Sequence, residues 1–419
     1  MGLHNMHITV PKITVKLNEI LFFMAYGLYM IVSILRISFY AVYIQGLFKY
    51  AFLLCLGLLV LKEIYGSKYS LKTVAGAIVA FGLLLIINNS LDGMIQFGTS
   101  IVLIYCARDI PLKKILKVTV WLSSILFVFI VLSAYAGIIE NYAYVSSSRT
   151  RYYMGFRYAL YGPTVLSNII MCDIYLHKER ISNWKLLLFA IVDYLCFTQT
   201  DSRLTFGLTL LIILAALILK YKPQILKKRK VICLVMANSW WLCAGLSFWI
   251  IGKYNSEVAW MNKLDIMLGS RLSLGLSSLQ KYGISLFGNS AITWVGNGLD
   301  IYGNQSTETY LYVDNMYLQL LQRFGIIFFA VFVILFTVVC YKYLKRKDYH
   351  MLVILFVLAL HGIIDDLIMY LYYNTFLLVA GIALLETARS SASRRIKDTT
   401  VMAGKGSICK DASEREEVI

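Results

Sequence analysis

The sequence predicts an all-α, polytopic integral membrane protein with about 12 transmembrane helices. Its 419 residues are 59% hydrophobic and 15% charged, whereas soluble domains are about 45–50% apolar and about 25% charged. The mean hydropathy is +0.70. The apolar residues also form long, regularly spaced runs, and about 20 apolar residues are enough to cross the hydrocarbon core of a bilayer. We therefore expect one transmembrane domain rather than several soluble ones.

Apolar runs alternate with polar connections along most of the chain. Several of the runs are short, and the last two are separated only by the polar residues around Asp365 and Asp366. The predicted spans are 20–36, 42–61, 73–88, 94–107, 116–138, 162–176, 185–200, 203–220, 231–251, 315–341, 350–364 and 367–386.

The distribution of basic residues predicts how the chain is threaded. Most lysines and arginines lie before the first span, in alternate connections and after the last span. Cytoplasmic segments carry such an excess of positive charge, so we expect both termini in the cytoplasm. Residues 1–388 then form the transmembrane domain. Residues 389–419, which are charged and rich in serine, form a disordered cytoplasmic tail.

Two long loops are predicted on the outer side, at 139–161 and 252–314. Binding and catalytic residues concentrate on such loops. Within the second loop, leucines recur at helical spacing between Arg271 and Tyr282, which predicts an amphipathic helix resting on the outer leaflet.

The composition excludes several other classes of protein. The net charge of +17 does not indicate nucleic-acid binding, because the basic residues occur in short runs between apolar segments rather than on one face or arm. The eight cysteines have no CxxC spacing, so neither disulfides nor a zinc site is indicated. We expect no cofactor and no metal.

The basic residues on the predicted outer side are mostly arginines, whereas lysines predominate inside. Positive charge alone would satisfy the topology, but arginine adds a planar fork that binds phosphate through two parallel hydrogen bonds. The bias indicates a phosphate or diphosphate site, although interfacial arginines also extend to lipid headgroups. The candidate ligands are Arg151, Arg157, Arg203, Arg271 and Arg323.

Arg203 is the clearest of these candidates. It lies in the first turn of a span whose amino end faces outward, where a cation is unfavourable by about 0.3–1 kcal/mol. An anion bound at the same helix end would offset this cost. The alternative is a local pair with Asp201.

Two groups are candidates for proton transfer. Asp314 precedes the tenth span, where it acts either as the helix N-cap or as a general base, provided that burial raises its pKa. His361 lies within the eleventh span, one turn before Asp365, and ionisable groups at that depth are often functional. A structural hydrogen bond from His361 explains the pattern equally well. Asp365 and Asp366 lack a third metal ligand at a suitable spacing.

Five segments resemble the O-antigen and capsular polysaccharide repeat-unit polymerases. Arg151 and Gly162 fit the pattern of an arginine, ten residues and a glycine that some members show, whereas Arg271 misses that pattern by one position. The related O-antigen ligases carry histidine where this chain has Asp314. The segments are Arg149–Gly162, QTDSRLTFGLTLLI from 199, GSRLSLGLSSLQKYGISLFG from 269, VDNMYLQLLQRFGII from 313 and HGIIDDLIMYLYYNTFLL from 361.

The resemblance implies an inverting, metal-independent glycosyltransferase of the bacterial cytoplasmic membrane. Its substrates would be undecaprenyl-diphosphate-linked oligosaccharides, and it would work beside a flippase and a chain-length regulator. The glycan is transferred at the outer face to the terminal hydroxyl of a lipid-linked repeat unit. The alternatives are a ligase-like transfer to another acceptor and a transporter of lipid-linked oligosaccharides or anions, although no repeated halves are visible.

Elementary chemistry leads to a compatible hypothesis for the residues. A lipid diphosphate gains negative charge as the anomeric bond breaks, and fixed guanidinium groups stabilise that charge. We assign Arg203 and Arg271 to the diphosphate, with the other candidate arginines in support. Asp314, or less directly His361, accepts the proton of the acceptor hydroxyl.

Overall fold

The computed structural model describes residues 17–66, 69–90, 95–146 and 149–385. The predicted tail at 389–419 lies outside these residues. The described chain is mostly helical, as predicted, with short 3-10 turns between some helices. Its α-helices are α1 (Leu17–Arg36), α2 (Ala41–Ile44), α3 (Phe48–Gly66), α4 (Leu71–Ser90), α5 (Ile95–Cys106), α6 (Leu112–Tyr135), α7 (Tyr161–His177), α8 (Asn183–Thr200), α9 (Arg203–Tyr221), α10 (Lys230–Ala237), α11 (Ser239–Gly252), α12 (Ala259–Met267), α13 (Arg271–Tyr282), α14 (Met316–Lys345), α15 (Tyr349–Ile364) and α16 (Val379–Leu384).

Several helices are long and apolar enough to cross a bilayer. Within the described residues there are five, namely α1, the run from α2 through α3, α6, α9 and α14. A sixth is formed if α10 and α11, which meet at a bend of 64°, make one span. The protein is therefore a membrane protein, while the count of twelve spans stays a prediction because the remaining apolar helices are shorter or less apolar.

A small β-hairpin departs from the predicted all-α fold. Strand β1 (Ala143–Val145) pairs antiparallel with β2 (Thr150–Tyr152) inside the first long loop. In β2 the exposure alternates, with Thr150 and Tyr152 exposed and Arg151 buried, as expected where one face of a strand packs on protein. The hairpin thereby directs Arg151 into the molecule.

The two long loops meet at one end of the helix bundle, which we call the loop face. The amide of Leu299 in the second loop donates to the carbonyl of Arg157 in the first at 2.9 Å. At the opposite face, Lys62 and Arg108 form a buried ion-pair cluster with Glu63 and Asp109, which ties α3 to the turn after α5.

Helix α14 breaks at Gly325, which has a φ of 86° and a ψ of 174°. The break frees backbone groups that need partners inside a membrane, and the segment 285–289 supplies them. It crosses α14 so closely that a Cβ atom at Gly325 would lie 2.4 Å from Leu286 O. The hydrogen bonds are Ile326 N to Ser285 O (3.0 Å), Ile327 N to Leu286 O (3.3 Å) and Asn289 N to Gln322 O (3.0 Å).

Replacement of Gly325 by alanine should destabilise the protein. This combination of φ and ψ is adopted almost only by glycine and costs an alanine about 1–3 kcal/mol, and the methyl group would displace the 285–289 segment. We expect the free energy of unfolding to fall by about 2 kcal/mol or more, measured as a lower Tm of the detergent-solubilised protein. The matched control is Gly207→Ala in α9, where a Cβ meets nothing within 4 Å. An equal Tm for both variants would contradict the role of the break.

Candidate functional site

A cavity of about 190 Å³ opens at the loop face between the start of α7, the second long loop and the end of α15. We call it the aspartate cavity, because three carboxylates line it. Tyrosine rings and the backbone of residues 296–299 form the rest of its wall. The carboxylates are Asp314, Asp365 and Asp366, and the rings are Tyr158, Tyr161, Tyr310 and Tyr312.

Asp314 faces this cavity rather than capping α14, which corrects one of the two readings of the sequence. The cap is Asn315, whose side chain accepts from Leu318 N at 2.9 Å. Asp314 is therefore left for another contact, and its carboxylate lies 3.6 Å from Nη2 of Arg271. Burial raises the pKa of Asp314 to about 6, and nearby Asp365 adds to the rise, whereas Arg271 opposes it.

Asp365 and Asp366 occupy the turn after α15. Nε2 of His361 lies 3.6 Å from the Asp365 carboxylate, too far for a hydrogen bond. Among the described residues this buried nitrogen has no hydrogen-bond partner, so the structural hydrogen bond that the sequence left open is not formed there. Tyr312 donates its hydroxyl hydrogen to Asp366 at 2.9 Å. Burial raises the pKa of Asp366 to about 8, with a further rise from the neighbouring carboxylates. The turn therefore carries a proton-binding group near neutral pH.

Arg271 is the first residue of α13, which spans the predicted residues Arg271–Tyr282. Asp265 supports the helix start by accepting from Leu272 N at 2.8 Å. The Arg271 guanidinium donates to Leu268 O at 2.8 Å and faces Asp314. Its Nε is buried and, among the described residues, has no hydrogen-bond partner. A buried donor without a partner is costly, so this side of the guanidinium is suited to an anionic ligand.

The apolar side of α13 packs partly on protein. Leu272 is buried in a cluster with Ile251 of α11 and with Val313 and Leu318 at the start of α14. We expected this side to rest on the outer leaflet. The contacts with α11 and α14 instead attach the helix to the bundle, which fixes the position of Arg271.

Arg323 lies two residues before the break in α14. Its guanidinium carbon is 4.6 Å from the centre of the Trp294 ring, a cation–π distance. It also contacts the Tyr370 hydroxyl, and its charge acts on Asp366. As in Arg271, its Nε is buried without a partner among the described residues. Arg323 therefore approaches the aspartate cavity from the side of α14.

A buried polar network joins the helices that carry these two arginines. Gln322 of α14 is fully buried and forms two hydrogen bonds with Ser278 of α13, at 2.8 Å through the side chains and at 3.0 Å to the Ser278 carbonyl. Trp294 donates its indole hydrogen to Ser278 Oγ at 2.9 Å. The same tryptophan contacts Arg323, so α13, Trp294 and α14 form one unit.

Arg151 and Arg157 both lie near the cavity wall, but they bind carbonyl oxygens of different segments. Arg151 donates to Thr200 O at 2.7 Å and lies 5.9 Å from the Tyr158 ring centre, close enough to lower the pKa of Asp314. The Arg157 guanidinium donates to carbonyls on both sides, to Arg36 O at 2.9 Å and to Leu299 O at 2.9 Å. Arg157 therefore holds the wall in place, and its donors are occupied.

Arg203 lies outside the aspartate cavity. Its side chain is 72% exposed and pairs with Asp201 at 2.9 Å, and Asp201 also contacts Arg149 at 3.4 Å. This local pair is the alternative that the sequence left open. Ser202, which precedes α9, makes no side-chain cap.

Several residues of the site were missed by sequence reasoning. Tyr312, Trp294 and Gln322 carry no local signal, since aromatic residues and amides are common at membrane interfaces. The glycines of the 296–299 wall indicated only an irregular loop. Of the described residues, no group of three histidines, cysteines or acids is placed to hold a metal ion.

Comparison of the chain with protein-family models, with curated proteins and with solved structures gives no match. The resemblance to polysaccharide polymerases therefore rests on the sequence segments quoted above.

Replacement of Gln322 by leucine should loosen the unit that holds Arg271 and Arg323. The change removes the partner of Ser278 and leaves buried carbonyls unpaired, which costs about 1–3 kcal/mol for each group. We expect a lower Tm and faster proteolysis of the second long loop. Gln305→Leu is the control, because Gln305 is exposed on the same loop and bonds only the Tyr142 hydroxyl. Unchanged stability of Gln322→Leu would show that the network is dispensable.

Proposed function

We propose that this protein is a membrane glycosyltransferase that polymerises lipid-linked repeat units of a bacterial surface polysaccharide. The loop face would point to the outside of the cytoplasmic membrane, with about twelve spans and both termini in the cytoplasm. The observation that carries the proposal is the pair of half-buried arginines beside the aspartate cavity, Arg271 and Arg323. The Nε atom of each is buried and has no hydrogen-bond partner among the described residues.

The two arginines suit the diphosphate of a polyprenyl-linked donor. Guanidinium forks bind phosphate oxygens through charge-assisted hydrogen bonds, and Arg271 and Arg323 each have an Nε donor to contribute. Arg151 adds positive charge beside Asp314. Binding of a diphosphate there would satisfy buried donors that are otherwise unpaired, which is a reason for their presence beyond snorkelling to lipid headgroups.

Catalysis would follow from charge development on the leaving group. The acceptor hydroxyl oxygen attacks the anomeric carbon from the side opposite the diphosphate, and the carbon–oxygen bond to the diphosphate breaks with its electron pair. The arginines stabilise the departing anion. Asp314 accepts the hydroxyl proton, and a pKa of about 6 keeps it ionised yet basic at neutral pH. His361 lies behind Asp365 and is less directly placed for this role.

An apolar cavity beside the site supports a lipid-linked donor. It has a volume of about 170 Å³ and lies between α4, α5, α14 and the segment that ends in α16. Phe97 lines this cavity. Its ring centre lies 4.9 Å from that of Phe324, on which it stacks, and 5.8 Å from that of Tyr370. Tyr370 in turn contacts Arg323. A polyprenyl chain in this cavity would therefore end close to the proposed diphosphate site.

A ligase-like transfer would use the same donor chemistry with a different acceptor. Asp314 favours the polymerase, because the ligases carry histidine at the matching position. The two functions are separated by supplying one purified lipid-linked repeat unit, which a polymerase lengthens and a ligase does not.

Replacement of Arg271 by lysine should reduce polymerisation, because lysine keeps the charge but loses the fork. We expect at least about a tenfold loss of long-chain glycan, equivalent to about 1.4 kcal/mol of transition-state stabilisation, on gels of reconstituted reactions with matched protein amounts. Arg203→Lys is the control and should retain normal chain lengths. Wild-type chain lengths in Arg271→Lys would remove this arginine from the mechanism.

The polymerisation rate should rise as the pH increases through about 6. Asp314 has a raised pKa, so it becomes ionised, and able to accept a proton, only above that pH. Below it, the ionised fraction falls about tenfold for each pH unit. Initial rates measured from pH 5 to 8 test this. The fall in rate below about pH 6 should disappear in the Asp314→Asn variant, which should also be slower. If the rate of that variant still fell at the same pH, the fall would be due to a group other than Asp314. Glu308→Gln, an exposed acid on the same loop, is the control.

A further inference from the structure

We infer that the aspartate cavity is the pocket for the acceptor sugar, and that it accepts a neutral or amine-bearing sugar while rejecting an acidic one. The inference rests on the proposed function and adds the substrate class of the same site. It follows from the groups that line the cavity and from the positions of the neighbouring arginines.

The cavity wall offers hydrogen-bond acceptors and amphipathic rings. A carboxylate only accepts hydrogen bonds, so Asp314 and Asp365 are suited to hydroxyl or ammonium hydrogens. The tyrosine rings present apolar faces together with polar hydroxyls. Small-molecule pockets usually have a largely apolar wall with a small number of polar groups. A sugar ring, with hydroxyls at its edge and C–H groups on its faces, matches this wall.

The carboxylates also explain the exclusion of acidic sugars. Asp365 is 3% exposed and the Asp314 side chain 13%, so water screens their charge poorly. Of the described residues that line the cavity, none is basic. Arg271 faces Asp314 at 3.6 Å, Arg151 donates to Thr200 O, and the donors of Arg157 are occupied by carbonyls. A ligand carboxylate inside the cavity would therefore lie against carboxylates of the same charge, with no basic side chain in the described lining to bind it.

The glycine wall sets the size of the pocket. A Cβ atom at Gly298 would lie 3.5 Å from the Tyr161 hydroxyl, an ordinary contact, whereas one at Gly296 would lie 2.9 Å from the Tyr312 ring. A larger side chain at 298 would therefore occupy cavity volume with little strain. Gly298→Val is accordingly a variant that blocks the pocket while leaving its carboxylates in place.

Binding of three simple glycosides to the full-length protein tests the inference. The probes are methyl glucoside, methyl glucosaminide and methyl glucuronide at millimolar concentration, measured by saturation-transfer NMR on protein in nanodiscs without a donor. We expect the first two to bind, and the glucuronide to bind at least about tenfold more weakly. Gly298→Val should lose all binding at an unchanged Tm, and Glu308→Gln should behave as the wild type.

The double variant Asp365→Asn, Asp366→Asn isolates the role of charge. Asparagine keeps an acceptor oxygen for Leu367 N and the Tyr312 hydroxyl, so the fold should persist, as a Tm close to that of the wild type would show. We expect this variant to gain glucuronide binding. Equal binding of all three probes to the wild type, or binding of none, would overturn the inference.

Failure of the proposed function would look different. Since sugar binding is measured without a donor, normal discrimination among the glycosides with no lengthening of lipid-linked units would reject the polymerase and keep the pocket. Lengthening without discrimination would reject the pocket and keep the polymerase.

Discussion

The break of α14 at Gly325 is the constraint on which the site depends. Inside a membrane the freed amides of α14 need partners. In the described structure only the segment 285–289, which follows α13, supplies them. The loop must therefore cross α14 at this level. Once it does so, Ser278 reaches Gln322 and Trp294 reaches Arg323. A backbone requirement thereby helps to place Arg271 and Arg323 beside the aspartate cavity.

Charge balance is the second organising element. Buried carboxylates and guanidinium groups are each costly when alone, and here they alternate around one end of the bundle. Arg271 faces Asp314, His361 faces Asp365, and Arg323 acts on Asp366. The pairing is loose, with closest distances of 3.6 Å for the first two pairs. Such a cluster retains hydrogen-bonding capacity for a ligand, unlike a tight ion pair.

Much of the helical architecture was predictable from local sequence. The bounds of α13 follow from its leucine spacing, and the long apolar runs indicated a membrane protein. Long-range features were not predictable. The hairpin that buries Arg151, the partners of Arg157 and the network around Gln322 depend on contacts between segments far apart in the chain. The sequence offered Asp314 as the cap of α14, but Asn315 is the cap because the helix starts one residue later than expected.

Because Arg157 anchors the cavity wall, residues of the wall can change in evolution independently of Arg271 and Arg323. Its guanidinium binds main-chain oxygens of Arg36 and Leu299, so this anchor does not depend on the side chains of residues 297–299. Substitutions there can remodel the pocket while Arg271 and Arg323 stay in register. Under the proposed function, a scaffold of this kind would let the recognised carbohydrate diversify without rebuilding the bond-forming residues.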